Sequence, residues 1–141
     1  KLAGFQNISI VPINDLSASN KSMEGRVTSV SINNQTLFDA LSKHRMTSDI
    51  CIYYHAIALV EPPYTCKSAK NKDVSVVVSC FRKTGFELIE EIPLCDLKPK
   101  QKRKNNKVFL INIDESFNYS KKSRVRVDSI VKVYYHSFKK V

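Results

Sequence analysis

The alternation of apolar and polar residues predicts a chain that is mostly β. Residues 5–13 alternate, and Pro12 within them suits an edge strand because proline cannot donate to a hydrogen-bonded ladder. Residues 26–32 (RVTSVSI) carry β-branched side chains at nearly alternating positions, which predicts a half-buried strand. Residues 14–25 lie between these strands and are predicted to form a polar loop rich in Ser and Asn.

Longer apolar stretches predict further strands in the remainder of the chain. Residues 49–60 (DICIYYHAIALV) form the most apolar run and predict a central strand that ends before Pro62. A second buried strand is predicted over residues 73–81, while residues 86–94 fit either a strand or a helical turn. Two long strands are predicted at residues 108–113 and 123–138, paired as a hairpin.

One segment has the pattern of a helix, and it is predicted to span residues 37–45. Thr36 is a suitable N-cap, Asp39 stands at the capping-box spacing, and the apolar stripe consists of Leu37, Phe38 and Leu41. No internal repeat at the spacing of solenoid proteins is found. We therefore predict a β-rich α+β fold, an antiparallel sheet with one principal helix packed on it. A single domain over residues 1–141 is expected, with further natural residues before Lys1 because the chain begins without Met.

The net charge lies entirely in the last third of the chain. Residues 1–97 contain 10 Lys/Arg and 10 Asp/Glu, whereas residues 98–141 contain 13 Lys/Arg and only 3 Asp/Glu, a net charge of +10. This segregation favours a polyanionic partner, either nucleic acid or an anionic membrane surface. The alternative is a solvated surface that only aids solubility.

The candidate anion-binding residues form two clusters. The first lies in residues 98–107, predicted to be a basic surface loop without local salt bridges. The second follows at residues 121–126, in a predicted strand with one cationic face (Arg124, Arg126, Asp128) and one core face. The full set comprises Lys98, Lys100, Lys102, Arg103, Lys104, Lys107, Lys121, Lys122, Arg124 and Arg126. Stacking of nucleobases on Tyr53, Tyr54, Tyr134 or Tyr135 is a less favoured possibility, since one ring of each adjacent pair should face the core.

No residue pattern points to catalysis or to a cofactor. The cysteines lie 14 or 15 positions apart without a C-x-x-C pair, so we predict reduced, mostly buried thiols and no metal site: Cys51, Cys66, Cys80 and Cys95. The three histidines, His44, His55 and His136, have no partner that sequence spacing identifies. Common nucleophile, metalloprotease and phosphate-loop motifs are missing from the sequence. The chain is therefore predicted not to be an enzyme.

The order of segments resembles the core of rhabdovirus matrix proteins of the plant-infecting type. RVTSVSI, NNQTLFDALSKHRM and DICIYYHAIALV are similar to that family's strand, capped helix and aromatic-rich strand, over residues 26–60. The later NKVFLINIDES and RVRVDSIVKVYY stand where that family has its closing strands. The resemblance implies a non-enzymatic structural protein that binds the viral nucleocapsid or RNA and anionic membrane, and that self-associates during virion assembly. It would lie beneath the virion envelope, and in host cytoplasm or nucleus and on inner membrane surfaces.

A second resemblance keeps another class of function open. IYYHAIALVEPP followed by DVSVVVSCFR is similar to two central strands of plant viral movement proteins with a jelly-roll core. That resemblance implies cooperative binding of single-stranded RNA at plasmodesmata. A cellular nucleic-acid-binding domain without any viral link is the third alternative.

Overall fold

A computed structural model describes residues 4–36, 38 and 43–139, which group into two compact units. Unit 1 consists of Lys1–Leu16 and Asn20–Ala58, and unit 2 consists of Ser17–Ser19 and Leu59–Val141. The fold class is α+β and β-rich, as predicted, and antiparallel strand pairs outnumber parallel pairs by three to two among the described strands. The single-domain assignment stays a prediction, and each unit is described by itself.

Unit 1 contains one three-stranded sheet. Its strands are β1 (Asn7–Leu16), β2 (Val27–Ile32) and β3 (Asp49–Ile57), in the order β1-β3-β2. β1 pairs with β3 in parallel and β2 pairs with β3 antiparallel, so Pro12 lies on an edge strand as predicted. A 3-10 helix, Ala18–Met23, follows β1. Most of the helix predicted over 37–45 lies outside the described residues, and those that are described, 38 and 43–45, are not helical.

Unit 2 contains two sheets and two α-helices. β5 (Ile89–Pro93), β6 (Val108–Ile113) and β8 (Val131–Tyr135) form a sheet in the order β5-β8-β6, while β4 (Leu59–Val60) pairs with β7 (Val125–Arg126). The helices are α1 (Cys66–Ala69) and α2 (Val74–Thr84), and a second 3-10 helix spans Pro99–Lys104. β6 agrees with the predicted strand, and β6 and β8 pair antiparallel as the predicted hairpin required.

The strand predicted over residues 73–81 is wrong, because this segment is helix α2. Its buried side chains are Val74, Val77, Val78 and Phe81, the i, i+3, i+4, i+7 pattern of one helix face. In a strand, Val77 and Val78 would point to opposite faces. Valine favours strands only modestly, so burial of this stripe against the β5-β8-β6 sheet outweighs that preference.

Four other segment predictions need correction or refinement. Residues 49–60 form β3 and β4, which belong to different sheets, rather than one strand. Residues 123–138 are divided into β7 and β8 by a turn in which the Ser129 amide donates to the Arg126 carbonyl at 3.1 Å. The predicted basic loop contains the 3-10 helix Pro99–Lys104, and residues 86–94 contain a strand, β5.

Gly85 ends α2 in the left-handed conformation, with φ +117°. A Cβ at this position would also lie 3.4 Å from Cγ1 of Val127. Because L-residues pay for this backbone conformation, we expect Gly85→Ala to lower the free energy of unfolding by about 1–2 kcal/mol. Chemical denaturation measures the loss, and Ser79→Ala on the exposed side of α2 should change stability by less than about 0.5 kcal/mol. Equal stability of both variants would contradict the prediction.

The sheets of the two units have the same topology. In each, the first strand lies at one edge and runs parallel to the third, and the second strand lies at the other edge and runs antiparallel to the third. A 3-10 helix connects the first two strands in both cases, and its backbone departs from helical geometry at Asn20 in one copy and Gln101 in the other. These two residues are 81 positions apart.

The sequence itself repeats at this offset of 81 residues. Residues 4–55, here called repeat A, align without a gap with residues 85–136, here called repeat B, and 15 of the 52 aligned pairs are identical. Both copies contain Gly-Phe before the first strand, Asp-Leu at or just after its end, and Tyr-Tyr-His near the end of the third strand. The repeat is far longer than a solenoid period, and each copy contains its own three-stranded sheet.

Equivalent hydrogen bonds fix the same loops in both repeats. The amides of Gly25 and Asn106 donate to the carbonyls of His55 and His136, each at 2.8 Å. The amide of Asp49 donates to Asn33 Oδ1 at 2.9 Å, and its equivalents, Ile130 and Asp114, are joined at 2.8 Å. The two repeats agree in sequence, topology and loop hydrogen bonds. Residues at equivalent positions of repeats A and B can therefore be compared directly.

Candidate polyanion-binding surface

The basic 3-10 helix, defined as Pro99–Lys104, is fixed at both ends to the chain that follows β8. On one side, the buried Leu97 donates its amide to the Ser137 carbonyl at 3.0 Å. On the other side, Asn106 donates to the His136 carbonyl at 2.8 Å. Gln101 closes the first turn by accepting from the Lys98 amide at 2.9 Å. The backbone of this segment is therefore held in place beside the sheet and needs little further ordering to bind a ligand.

The cations of this segment project into solvent. Lys98, Lys100, Lys102, Arg103 and Lys104 are all exposed, and none forms an ion pair with another residue in the part of the chain that the structure describes. The uncompensated positive charge is available to an anionic partner.

Lys107 differs from its neighbours because its charge is partly compensated. Its Nζ lies 2.7 Å from Oδ1 of Asp73, the N-cap residue of α2. This pair is not a local salt bridge, because Asp73 lies 34 residues earlier in sequence, and the sequence pattern could not have revealed it. Lys107 helps to attach α2 to the strand that follows the basic helix.

The second basic cluster lies toward the opposite end of the β6–β8 pair from the basic helix. Val108 pairs with Tyr135 and Ile113 with Val131, so the basic helix precedes one end of the β6–β8 pair while residues 121–126 lead to the opposite end. Lys121, Lys122, Arg124 and Arg126 are exposed. The ten predicted residues therefore form two separate clusters, one beside the chain that follows β8 and one in the chain that precedes it.

The cluster at residues 121–126 is also partly engaged within the protein. Arg126 makes a bidentate contact with Asp128 at 3.0 Å, and Arg124 Nη2 donates to the Leu59 carbonyl at 3.1 Å. Val127 and Ser129 are buried, so the predicted alternation of a cationic and a core face is observed, although only Val125–Arg126 is a strand. Lys121 and Lys122 remain the exposed cations of this cluster without an ion pair among the described residues.

Repeat A provides a direct comparison for the basic helix. Its equivalent segment, Ala18–Met23, forms the same 3-10 helix with a single cation, Lys21, which aligns with Lys102. The remaining cations of the basic helix, Lys100, Arg103 and Lys104, replace Ser19, Ser22 and Met23. The fold therefore does not require this charge, which argues against a purely structural explanation for it.

A groove of about 400 Å³ lies beside the basic helix. It begins at Asn105, the residue after the helix, and combines amide, hydroxyl, thiol and aromatic groups with one cation. The lining residues are Pro93, Cys95, Asn105, Asn106, Tyr135, Ser137, Phe138 and Lys139. Such a mixture is suited to contacts with a phosphate-linked chain or a headgroup.

An Asp–His pair occurs at the same place in each repeat, and the sequence analysis did not identify it. His136 Nδ1 donates to Asp96 Oδ2 at 2.6 Å, and His55 Nδ1 donates to Asp15 Oδ2 at 2.8 Å. Both pairs span 40 residues. The offset of 81 would have revealed them, because Asp15 aligns with Asp96 and His55 with His136. Each pair joins the end of the first strand to the end of the third.

The surroundings of Asp96 give this pair a pH dependence. Desolvation pushes the pKa of Asp96 up, but the hydrogen bond from His136, backbone hydrogen bonds and attraction to the imidazolium together bring it below its usual value. A lowered pKa in the folded state contributes stability above the unfolded-state pKa of about 3.9. That contribution is lost as the pH falls through the folded-state pKa.

We therefore expect Asp96→Asn to destabilise the protein near neutral pH but to have little effect on its stability in acid. The free energy of unfolding of the variant should be lower than that of the original chain at pH 5, and the difference should shrink as the pH falls below about 4. Urea denaturation at a series of pH values measures this difference. A difference that stays constant between pH 5 and pH 2 would show that Asp96 contributes no such linkage.

The remaining candidate residues are placed as follows. All four cysteines are free and half-buried, and no group of three metal-ligating side chains occurs among the described residues. Tyr135 packs against the core cluster while its neighbour Tyr134 alternates to the other face of β8, as expected for adjacent rings in a strand. Within the described ranges, no helix is both long and apolar enough to cross a membrane.

No protein-family model and no curated protein matches this chain.

Proposed function

We propose that this chain is a non-enzymatic structural protein that binds phosphate-bearing polyanions through the basic helix of repeat B. The observation that carries the proposal is the contrast between the repeats: the same 3-10 helix forms in repeat A with one cation, and in repeat B it carries four. Five exposed cations, counting Lys98, near an anionic surface contribute roughly 1 kcal/mol each. On nucleic acid, each phosphate neutralised releases counterions and increases the salt dependence of binding.

The setting we propose is viral assembly of the matrix type. In that setting the basic helix contacts lipid phosphate on the inner face of the envelope or the nucleocapsid, and copies of the chain self-associate into a layer. The order of β2, β3, β6 and β8 is compatible with this setting. The capped helix of the resemblance lies mostly outside the described residues, so the proposal rests chiefly on the charge of the basic helix. Virion, host cytoplasm or nucleus, and inner membrane surfaces are the proposed locations.

A second candidate function is binding of single-stranded nucleic acid, as in a movement protein. The groove beside the basic helix favours it, since Tyr135 and Phe138 supply rings and Asn105 and Asn106 supply amides. The similarity to jelly-roll movement proteins is weakened, however, because it treated DVSVVVSCFR as a strand and this segment is helix α2. Nucleic-acid binding in this form rests on the groove and the charge.

Flotation with liposomes that contain phosphatidylserine, with single-stranded RNA as competitor, separates the two candidates. The matrix-type proposal predicts flotation that excess RNA reduces only partly, and regular arrays of protein on the vesicles by electron microscopy. RNA binding without flotation would replace it with the nucleic-acid-binding function. Absence of both at low salt would contradict polyanion binding itself.

A further inference from the structure

Helix α2, which directly precedes repeat B, covers one face of the β5-β8-β6 sheet. Val77, Val78 and Phe81 of α2 belong to the same buried cluster as the strand residues Val108 and Val133. Phe86, which follows the helix, contacts Phe81 edge-on with ring centroids 5.5 Å apart. This face is a closed core between a helix and a sheet.

The equivalent face of repeat A is covered only at one end, where Ile32 and Ile50 are each 8% exposed. The rest of the face is much less covered. Val27, which aligns with the fully buried Val108, is 58% exposed, whereas Val108 is 0% exposed. Ile52 aligns with Val133, which is 0% exposed, yet Ile52 is only half-buried. Phe5 is likewise half-buried where Phe86 is 1% exposed. The described residues of unit 1 contain no α-helix that would perform the role of α2.

The side chains of this face remain apolar despite their exposure. We define the open face as Val27, Val30 and Ile52, with Ile10 beside Ile52 on the edge strand. Ile10 is 67% exposed, and its equivalent in the covered sheet is the polar Glu91. A permanently solvated sheet face normally alternates to polar residues, so a contiguous apolar set indicates an occupant.

The backbone conformation of Gly4 indicates how a helix could lead into this sheet. Gly85 caps α2 in the left-handed conformation, donating to the carbonyls of Arg82 and Phe81, and Phe86 follows it. Gly4 aligns with Gly85, also has a positive φ of +78°, and is followed by Phe5. A left-handed glycine is the usual residue just after a helix. The backbone at Gly4 therefore has the conformation with which a helix ends.

We propose that the open face of repeat A is the docking site of an amphipathic helix that leads into Gly4, as α2 leads into Gly85. The helix carries apolar side chains at the spacing of Val74, Val77, Val78 and Phe81 and covers Val27, Val30 and Ile52. The proposal is independent of polyanion binding, because it concerns the sheet of repeat A and not the basic helix.

A helix graft tests the proposal in the full chain. A copy of residues 73–84 replaces residues 1–3, so that the copied helix is followed directly by Gly4 as α2 is by Gly85. We expect amide hydrogen exchange at Val27, Val30 and Ile52 to slow by about tenfold or more, with unchanged exchange in β6 and β8. The unchanged strands of repeat B report that the chimera is folded.

Two controls separate docking from a general effect of the added segment. The same graft with Asp at the two copied positions equivalent to Val77 and Phe81 should lose the protection. Val27→Asp in the grafted chain should also lose it, and this exposed position tolerates the change without unfolding. Equal exchange in the graft and its Asp control would overturn the proposal. So would protection that appears only with dimers in gel filtration, since the occupant would then be a second copy.

Discussion

Replacing Lys100, Lys102, Arg103 and Lys104 together by glutamine is expected to weaken binding to single-stranded RNA or to phosphatidylserine vesicles by about 100-fold or more at 0.1 M salt. Each cation contributes roughly 1 kcal/mol at an anionic membrane, and each phosphate contact on a single strand contributes about 0.7 to the salt slope. Four lost contacts should therefore also reduce the slope of log K against log salt by roughly 3 on RNA. Fluorescence anisotropy at several salt concentrations measures both quantities.

A matched control removes the same charge elsewhere. Glutamine at Lys21, Arg26, Lys67 and Lys83, all exposed and outside the last third of the chain, should reduce affinity far less. The repeats supply a second control: residues 98–104 (KPKQKRK) exchanged for residues 17–23 (SASNKSM) should keep the 3-10 helix and lose binding. Unchanged binding of the quadruple variant, together with a normal melting curve, would remove the basic helix as the anion site.

Phe81→Ala is expected to lower the free energy of unfolding by about 3–5 kcal/mol, the largest effect of any single substitution considered. Phe81 is 0% exposed in the cluster between α2 and the sheet, and deleting its ring removes buried area and leaves a cavity. Because small domains have only about 5–15 kcal/mol of stability, the variant should be near the threshold of folding at 37 °C. Denaturant titration followed by circular dichroism measures the loss.

Val76 provides the control on the same helix. It is 48% exposed, so Val76→Ala should change stability by less than about 0.5 kcal/mol, whereas Val78→Ala should cost clearly more. In a strand, Val76 and Val78 would share one face and respond alike. Similar losses at the two positions would therefore contradict the helical assignment of residues 74–84.

The strands were the most predictable part of this fold. β2 and β6 were anticipated nearly to their ends, because β-branched residues bounded by polar turns are a strong local signal. Helix α2 was missed since VSVVV has strand preference, although its buried positions 74, 77, 78 and 81 already had helical spacing. The helical spacing of the apolar residues outweighed the strand preference of valine. Burial of a continuous apolar stripe stabilises the helix by more than the small intrinsic cost of valine in a helix.

The candidate site was predictable in composition but not in arrangement. The exposed charge of residues 98–104 follows from a run of cations without acidic neighbours. The pairing of Lys107 with Asp73 and of His136 with Asp96 depends on contacts across 34 and 40 residues, which no local pattern reports. The 81-residue repeat was readable from sequence alone, and it would have supplied the second Asp–His pair and the uncharged reference helix.

Protection of individual lysines from acetylation tests the central claim most directly. The chain is treated briefly with an amine-acetylating reagent, free and then saturated with phosphatidylserine vesicles or single-stranded RNA, and each lysine is quantified by mass spectrometry. The account predicts strong protection at Lys98, Lys100, Lys102 and Lys104, with Lys21 of the equivalent helix modified at its original rate. Equal protection across both repeats, or protection confined to Lys121 and Lys122, would contradict it.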